Sequence, residues 1–253
     1  MLNRIPGALL ALAAHAALAV TVWFLFPFLQ GLQPPPEAET SSLWWLIDIL
    51  LVLQFCVPHS LLLAPPVRDR LERGLPSALH GCLFCLTTCL SLLLLIWAWQ
   101  RTPTVVWRLE GWARSVVCAA YFLSWGALLY ALALTGYGWQ TGWTPFWAWF
   151  RGAPPPRRPF VRHGTYRWLR HPVYLAFLGQ IWLTPTATLD RALMIGLLTV
   201  YVAVGSWLKD RRLLFYLGDA YRGYQERVPG YPLVGFGPLG RVRPRGERGA
   251  LAP

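Results

Sequence analysis

The sequence predicts an all-α, polytopic membrane helical bundle of about six transmembrane helices, with the N- and C-termini cytoplasmic. Three observations predict it. Only 13% of the 253 residues are charged, roughly half the share found in soluble domains. The apolar residues gather into runs of about 20 residues, the length a helix needs to cross a hydrocarbon core. The cations, all arginine except Lys209, fall between those runs rather than within them.

The first run covers residues 8–29. Arg4 precedes it, so a cleaved signal peptide is the alternative reading. The run is longer than the roughly 7–15 residues of a signal core, and it ends in Trp23, Phe24, Phe26 and Phe28 rather than in small residues. It reads as a transmembrane helix. The second run, 43–64, is closed by Pro65-Pro66 and carries Asp48, Gln54 and His59. The third and fourth are 78–99 and 115–135. Residues 137–150 hold Trp139, Trp143, Trp147 and Trp149 between Gly and Pro breaks, a composition suited to a segment lying at the membrane interface. A basic loop, 151–170, follows. Two shorter apolar segments, 173–184 and 191–208, are joined by a tight turn at 184–190. The first of them is too short to span alone; it begins within the basic loop or belongs to a hairpin partly buried in protein.

The net charge of +12 would suggest nucleic acid in a soluble protein. Here the positive-inside rule explains it. With the N-terminus inside and six crossings, nineteen cations fall in inner segments and four in outer ones. The predicted membrane domain is 1–234, followed by a Gly-, Pro- and Arg-rich cytoplasmic tail, 235–253, whose composition predicts disorder. The expected location is a bacterial inner membrane, with membrane lipids as neighbours and no nucleic-acid partner.

Cys82, Cys85 and Cys89 share one helical face, but no fourth ligand accompanies them. They read as small residues for helix packing, and no metal site is predicted. Asp48 and His59 lie about three turns apart on the second helix. They either pair with neighbouring helices or, for His59 with Ser60, line a site. The richer stretch is Gly164-x-Tyr166-Arg167-x-x-Arg170-His171-Pro172-x-Tyr174. Pro172 suits a helix start, which places Arg170 and His171 at an N-terminus where anions are favoured. The second element is Lys209-Asp210-Arg211, then Gly218-x-x-Tyr221-x-x-Tyr224-x-x-x-Val228-Pro229, read as an amphipathic segment leaving the last membrane helix.

Together these motifs resemble the membrane methyltransferase superfamily, which includes isoprenylcysteine carboxyl methyltransferases and phospholipid methyltransferases. Two further stretches, Trp182-x-Thr184-Pro185-Thr186-x-Thr188 and Asp48-x-x-Leu51-x-x-x-Phe55-x-x-x-His59-Ser60, resemble its NnrU, nurim and methanethiol S-methyltransferase branch. The resemblance covers about residues 43–232 and makes 137–234 the methyltransferase-like part. It implies S-adenosyl-L-methionine bound near the cytoplasmic surface and a small apolar or lipidic acceptor, a thiol such as methanethiol among them. It implies cofactor contacts from Tyr166, Arg170, His171, Tyr174, Asp210 and Arg211, with Tyr221 and Tyr224 packed around the cofactor. Arg170, His171 and Asp210 would be catalytic, His171 serving as anchor or base. The alternative is a non-catalytic membrane protein of the same fold, in the manner of nurim. This chain departs from the family pattern twice. Lys209-Asp210-Arg211 replaces the usual Glu-Glu-Arg, and Ala78, Leu79 and His80 stand where an acidic-Arg pair often opens the third helix.

Overall fold

The computed structural model describes residues 4–32, 34–37 and 41–242. Among the described residues, five helices are long and apolar enough to cross a membrane: α1 (Ile5–Gln30), α2 (Trp44–Leu62), α4 (His80–Ala98, reached through a 3-10 turn from Ser77), α5 (Gly111–Thr135) and α9 (Leu189–Leu217). A sixth apolar helix, α8 (Pro172–Trp182), is shorter. The protein is thus a polytopic helical membrane protein. Short helices α3 (Pro65–Leu71), α6 (Tyr137–Gln140), α7 (Trp143–Arg151) and α10 (Asp219–Arg227) sit between or after them. Large apolar side chains face outward along the long helices, Leu12, Trp23, Trp97 and Leu123 among them. In water that exposure would be prohibitive; in lipid it is the expected outer surface.

Helix contacts follow from small residues. Ala11 and Ala14 of α1 are buried against Cys82, Cys85 and Cys89 of α4. With little hydrophobic drive between helices in lipid, close approach of small side chains is what holds a pair together. The cysteines therefore pack, as their spacing suggested. At the start of α4, a Cβ on Gly81 would lie 2.6 Å from the Cα of Gly142, so two backbones touch where α7 docks. On α7, Trp143, Trp147 and Phe150 stack in sequence, with Arg151 over Trp147.

The two ends of the bundle differ. One end carries a small antiparallel sheet, β1 (Val105–Arg108) with β2 (Thr186–Thr188). Sequence patterning gave no strand there. The turn expected at 184–190 is extended because the α4–α5 loop pairs with it. Beside the sheet, Asp190 accepts hydrogen bonds from Trp99 Nε1, Thr102 N and Thr102 Oγ1. Asp48 accepts from Gln100 N, the neighbour-pairing role expected for it. The other end, here the Arg-rich end, carries α3, α7, the basic loop and α10.

Two boundaries move. α9 does not stop near 208 but runs unbroken to Leu217, because no breaker occurs before Gly218 (φ 53°). Lys209 to Arg212 are thus the last turns of a membrane helix rather than a separate segment. The stretch 235–242, expected as the start of a disordered tail, folds back instead. Tyr231 N donates to Leu239 O and Val242 N to Gln225 O. The rest of the expected tail lies outside the described residues.

Candidate active site

The motif residues converge at the Arg-rich end in two distinct layers. The inner layer is a buried ionic cluster. Arg170 donates through one terminal nitrogen to the carbonyls of Gln225, Val228 and Gly240, at 3.2, 2.9 and 2.8 Å. Through the other it donates to Asp210 Oδ2 at 2.8 Å and Pro238 O at 3.1 Å. A guanidinium has five N–H groups, four of them terminal. Those four are committed here, and the remaining Nε is buried without a partner. Arg170 therefore has no fork left to grip a carboxylate.

Asp210 is equally committed. Its Oδ1 accepts from the Tyr221 hydroxyl and lies 3.2 Å from His171 Nε2, off the line of a hydrogen bond. Burial holds the His171 imidazole below its usual range, opposed by the Asp210 carboxylate. Burial, then that same carboxylate, pushes the Tyr221 phenol far up. Tyr224 donates to the carbonyl of Tyr166, and Tyr166 donates to Ala131 O on α5. Backbone bonds complete the cluster, Arg170 N to Pro229 O and His171 N to Gly230 O. A Cβ on Gly230 would lie 3.0 Å from the His171 ring and 2.4 Å from Leu239 O, so only glycine fits.

The outer layer is a cavity of about 210 Å³ between α1, α2, α4, α8 and α9. Leu25, Leu29, Ile181 and Leu198 line its deep part; Phe55, Tyr174 and Phe177 contribute aromatic walls. Near the Arg-rich end stand His59, Ser60, Tyr201, Lys209 and Arg212. His59 Nδ1 is 3.2 Å from Thr88 Oγ1, and Ser60 Oγ is 3.2 Å from the Tyr201 hydroxyl. Lys209 Nζ sits 5.1 Å above the Tyr174 ring. Arg212 reaches Leu63 O at 3.5 Å.

Of the eight residues expected to surround a cofactor, only Tyr174 lines the cavity. Tyr166, Arg170, His171, Asp210, Tyr221 and Tyr224 form the cluster behind it. Arg211 is exposed and lies over Trp207, 4.9 Å from the ring. Helix geometry explains the division. Leu198, Tyr201, Val202, Gly205, Leu208, Lys209 and Arg212 repeat at three- and four-residue steps, one face of α9. Asp210 and Arg211 are rotated off that face in opposite uses, one inward to Arg170 and one outward. The stripe was visible in the sequence and would have pointed to Lys209 and Arg212. His59 and Ser60 line the cavity, and Asp48 sits at the opposite end of the bundle.

Residues 47–236 match the family described as NnrU protein. The chain belongs to the NnrU family. Among its relatives is a methanethiol S-methyltransferase of Pseudomonas sp., 29% identical over 232 residues, 89% of each chain. The methanethiol S-methyltransferase of Mycobacterium tuberculosis is 30% identical over 183 residues, 72% of this chain and 75% of that one. Nurim of Rattus norvegicus is 29% identical over 195 residues, 73% of each. No solved structure gives a significant match. The match begins within α2 and ends at residue 236, so most of both layers lies within the NnrU region, while Leu25 and Leu29 of the cavity wall precede it and the Pro238 and Gly240 carbonyls on Arg170 follow it.

Proposed function

We propose that this protein is an integral membrane, S-adenosylmethionine-dependent methyltransferase acting on a small thiol, methanethiol being the model acceptor. The observation that carries the reading is the cavity: mostly apolar, with phenols and two cations at the end where the family motifs converge. The relatives named methanethiol S-methyltransferase supply the reaction class. The segregation of cations to that end supports a cytoplasmic site, and the Pseudomonas and Mycobacterium relatives support a bacterial membrane.

The cavity's donor set fits the cofactor. Among the described residues Arg212 has a single backbone carbonyl as hydrogen-bond partner, which leaves N–H groups for the carboxylate of an amino-acid tail. Tyr201 offers a ring face to a sulfonium cation, Lys209 already standing over the ring of Tyr174. When bound, S-adenosylmethionine supplies a methyl group activated by its sulfonium sulfur. The protein's task is then to hold two partners in line and keep water out, since positioning dominates such a displacement. Leu29, Phe177, Ile181 and Leu198 keep the deep wall dry. The Arg170–Asp210 cluster positions the face of α9 that carries Arg212 without touching the cavity.

A non-catalytic membrane protein of the same fold is the second reading, favoured by Lys209 standing where the family usually has glutamate. The deciding experiment is saturable binding of labelled S-adenosylmethionine to purified protein in detergent, followed by methyl transfer to a panel of thiols, prenylcysteines and phospholipids. Saturable binding with transfer to small thiols is expected. Absence of binding would end the enzyme reading, and transfer to phospholipid alone would replace the acceptor.

A further inference from the structure

Lys209 is the one lysine of the chain, and its surroundings are unusual for an ammonium group. It lines an apolar cavity, and the ring of Tyr174 lies below its Nζ. No carboxylate lies within 4 Å of it among the described residues. Asp210, its sequence neighbour, is turned away and committed to Arg170 and Tyr221. No carboxylate lines the cavity among the described residues. The titratable groups that do face it are His59 from α2, Tyr174 from α8, and Tyr201, Lys209 and Arg212 from α9; α1 and α4 offer only Leu25, Leu29, Thr88 and Leu92. His59 is tied to Thr88 and Tyr201 to Ser60. Arg158 of the basic loop adds further positive potential near Lys209 and Arg212. An ammonium with three donors and no anion, in a low-dielectric wall, favours an anionic ligand with an apolar body.

Arg212 stands one turn nearer the mouth, and Lys209 one turn deeper. We infer that Lys209 binds the methyl acceptor as its thiolate, making this residue the determinant of acceptor ionisation and choice. The inference rests on the thiol-methyltransferase reading given above. The thiolate, not the thiol, is the nucleophile. Burial in an apolar cavity by itself raises a thiol's pKa, and an adjacent cation reverses that. On binding, the acceptor's S–H bond breaks, its proton leaves to water at the mouth, and the electron pair stays on sulfur opposite Nζ. Lys209 keeps its three protons throughout.

The test uses benzenethiol as probe, whose thiolate is read by its ultraviolet absorbance, titrated against full-length protein in detergent without cofactor. The wild-type protein should lower the probe's apparent pKa by about 1–3 units relative to detergent alone. Lys209→Met should abolish the shift, Lys209→Arg should retain most of it, and Lys209→Glu should reverse its sign. Thermal unfolding confirms that each variant is folded, and the Arg variant keeps the test decisive should Met destabilise the helix end. Labelled S-adenosylmethionine binding is measured in parallel and should be unchanged in Lys209→Met. An unshifted probe with wild-type protein, or a shift that survives Lys209→Met, overturns the inference. So does loss of cofactor binding in Lys209→Met with the probe titration intact, which would assign the lysine to the cofactor's carboxylate. Failure of the wild type to bind S-adenosylmethionine sinks the methyltransferase reading instead, and is read independently of the thiol titration.

Discussion

Arg170 and Asp210 meet at 2.8 Å with side chains 0% and 5% exposed, joining the N-terminus of α8 to the last turns of α9. The terminal N–H groups of Arg170 and both oxygens of Asp210 are taken by the protein itself, Arg170 Nε alone lacking a partner among the described residues, and the pair ties α8, α9, α10 and the returning 235–242 segment together. A buried ion pair of this kind is costly to break from one side, because the survivor is left charged and dry.

Arg170→Ala should therefore destabilise the protein by about 3–5 kcal/mol, read as a large fall in the thermal midpoint in detergent. Arg170→Lys should recover little, since an ammonium has three donors where five acceptors are served. An unchanged midpoint in both variants would show that the cluster bears no weight.

The Tyr221 hydroxyl donates to Asp210. Tyr221→Phe should cost about 1–3 kcal/mol of stability, the penalty for an unsatisfied buried acceptor. The Kd for S-adenosylmethionine should stay near wild type in whatever fraction folds. A large loss of cofactor affinity at unchanged thermal midpoint would return Tyr221 to the binding site.

His171 is held below its ordinary value of 6.5 by burial, with Asp210 opposing. The unfolded chain thus binds a proton more readily than the fold does. By linkage, this group's contribution is fully present above pH of about 6.5 and is lost as the pH falls through the window down to the depressed folded value. The thermal midpoint should drop across that window, and His171→Gln should flatten the drop. Parallel profiles for the two proteins would remove His171 as its source.

Two glycines should respond oppositely to alanine. Gly142 has φ +82°, and a Cβ there would lie 2.3 Å from Cys82 N and 2.4 Å from Gly81 C. Gly142→Ala should undock α7 and reduce folded yield severely. Gly196 lies within α9 with nothing near its Cβ position. Gly196→Ala should stabilise by about 0.5–1 kcal/mol through helix propensity. Equal behaviour of the two variants on thermal unfolding would count against the close backbone contact.

Gly205 lines the cavity, and nothing lies within 4 Å of its Cβ position. Gly205→Leu should fill the space and raise KM for bulky thiols roughly tenfold more than for methanethiol, a difference of about 1.4 kcal/mol. An equal effect on both acceptors would show that thiols do not occupy this part of the cavity.

The hydrophobic runs in the sequence already mark the five long helices and the short sixth, because lipid imposes length and apolarity on each separately. The pairing of residues 105–108 with 186–188 was not legible, since it depends on two loops meeting. The site was half legible. The motif spacing picked out Arg170, His171, Asp210, Tyr221 and Tyr224, which do meet. It could not tell a residue that braces a site from one that faces it, because that depends on where 235–242 returns and takes up the Arg170 donors. Reading 209–212 as part of a continuous helix would have separated Lys209 and Arg212 from Asp210 and Arg211.

The 29 residues of α9 make a rod of about 43 Å, against a hydrocarbon core of about 30 Å. Lys209 lies twenty positions after Leu189, so a helix whose first turn is pinned by Asp190 at one membrane face delivers Lys209 close to the opposite one. Tilt shortens that reach only modestly. The helix thus acts as a ruler that sets the charged wall at the boundary between oil and water. On the proposed function, an apolar acceptor arriving from the hydrocarbon and a cofactor arriving from water would meet there without either having to cross.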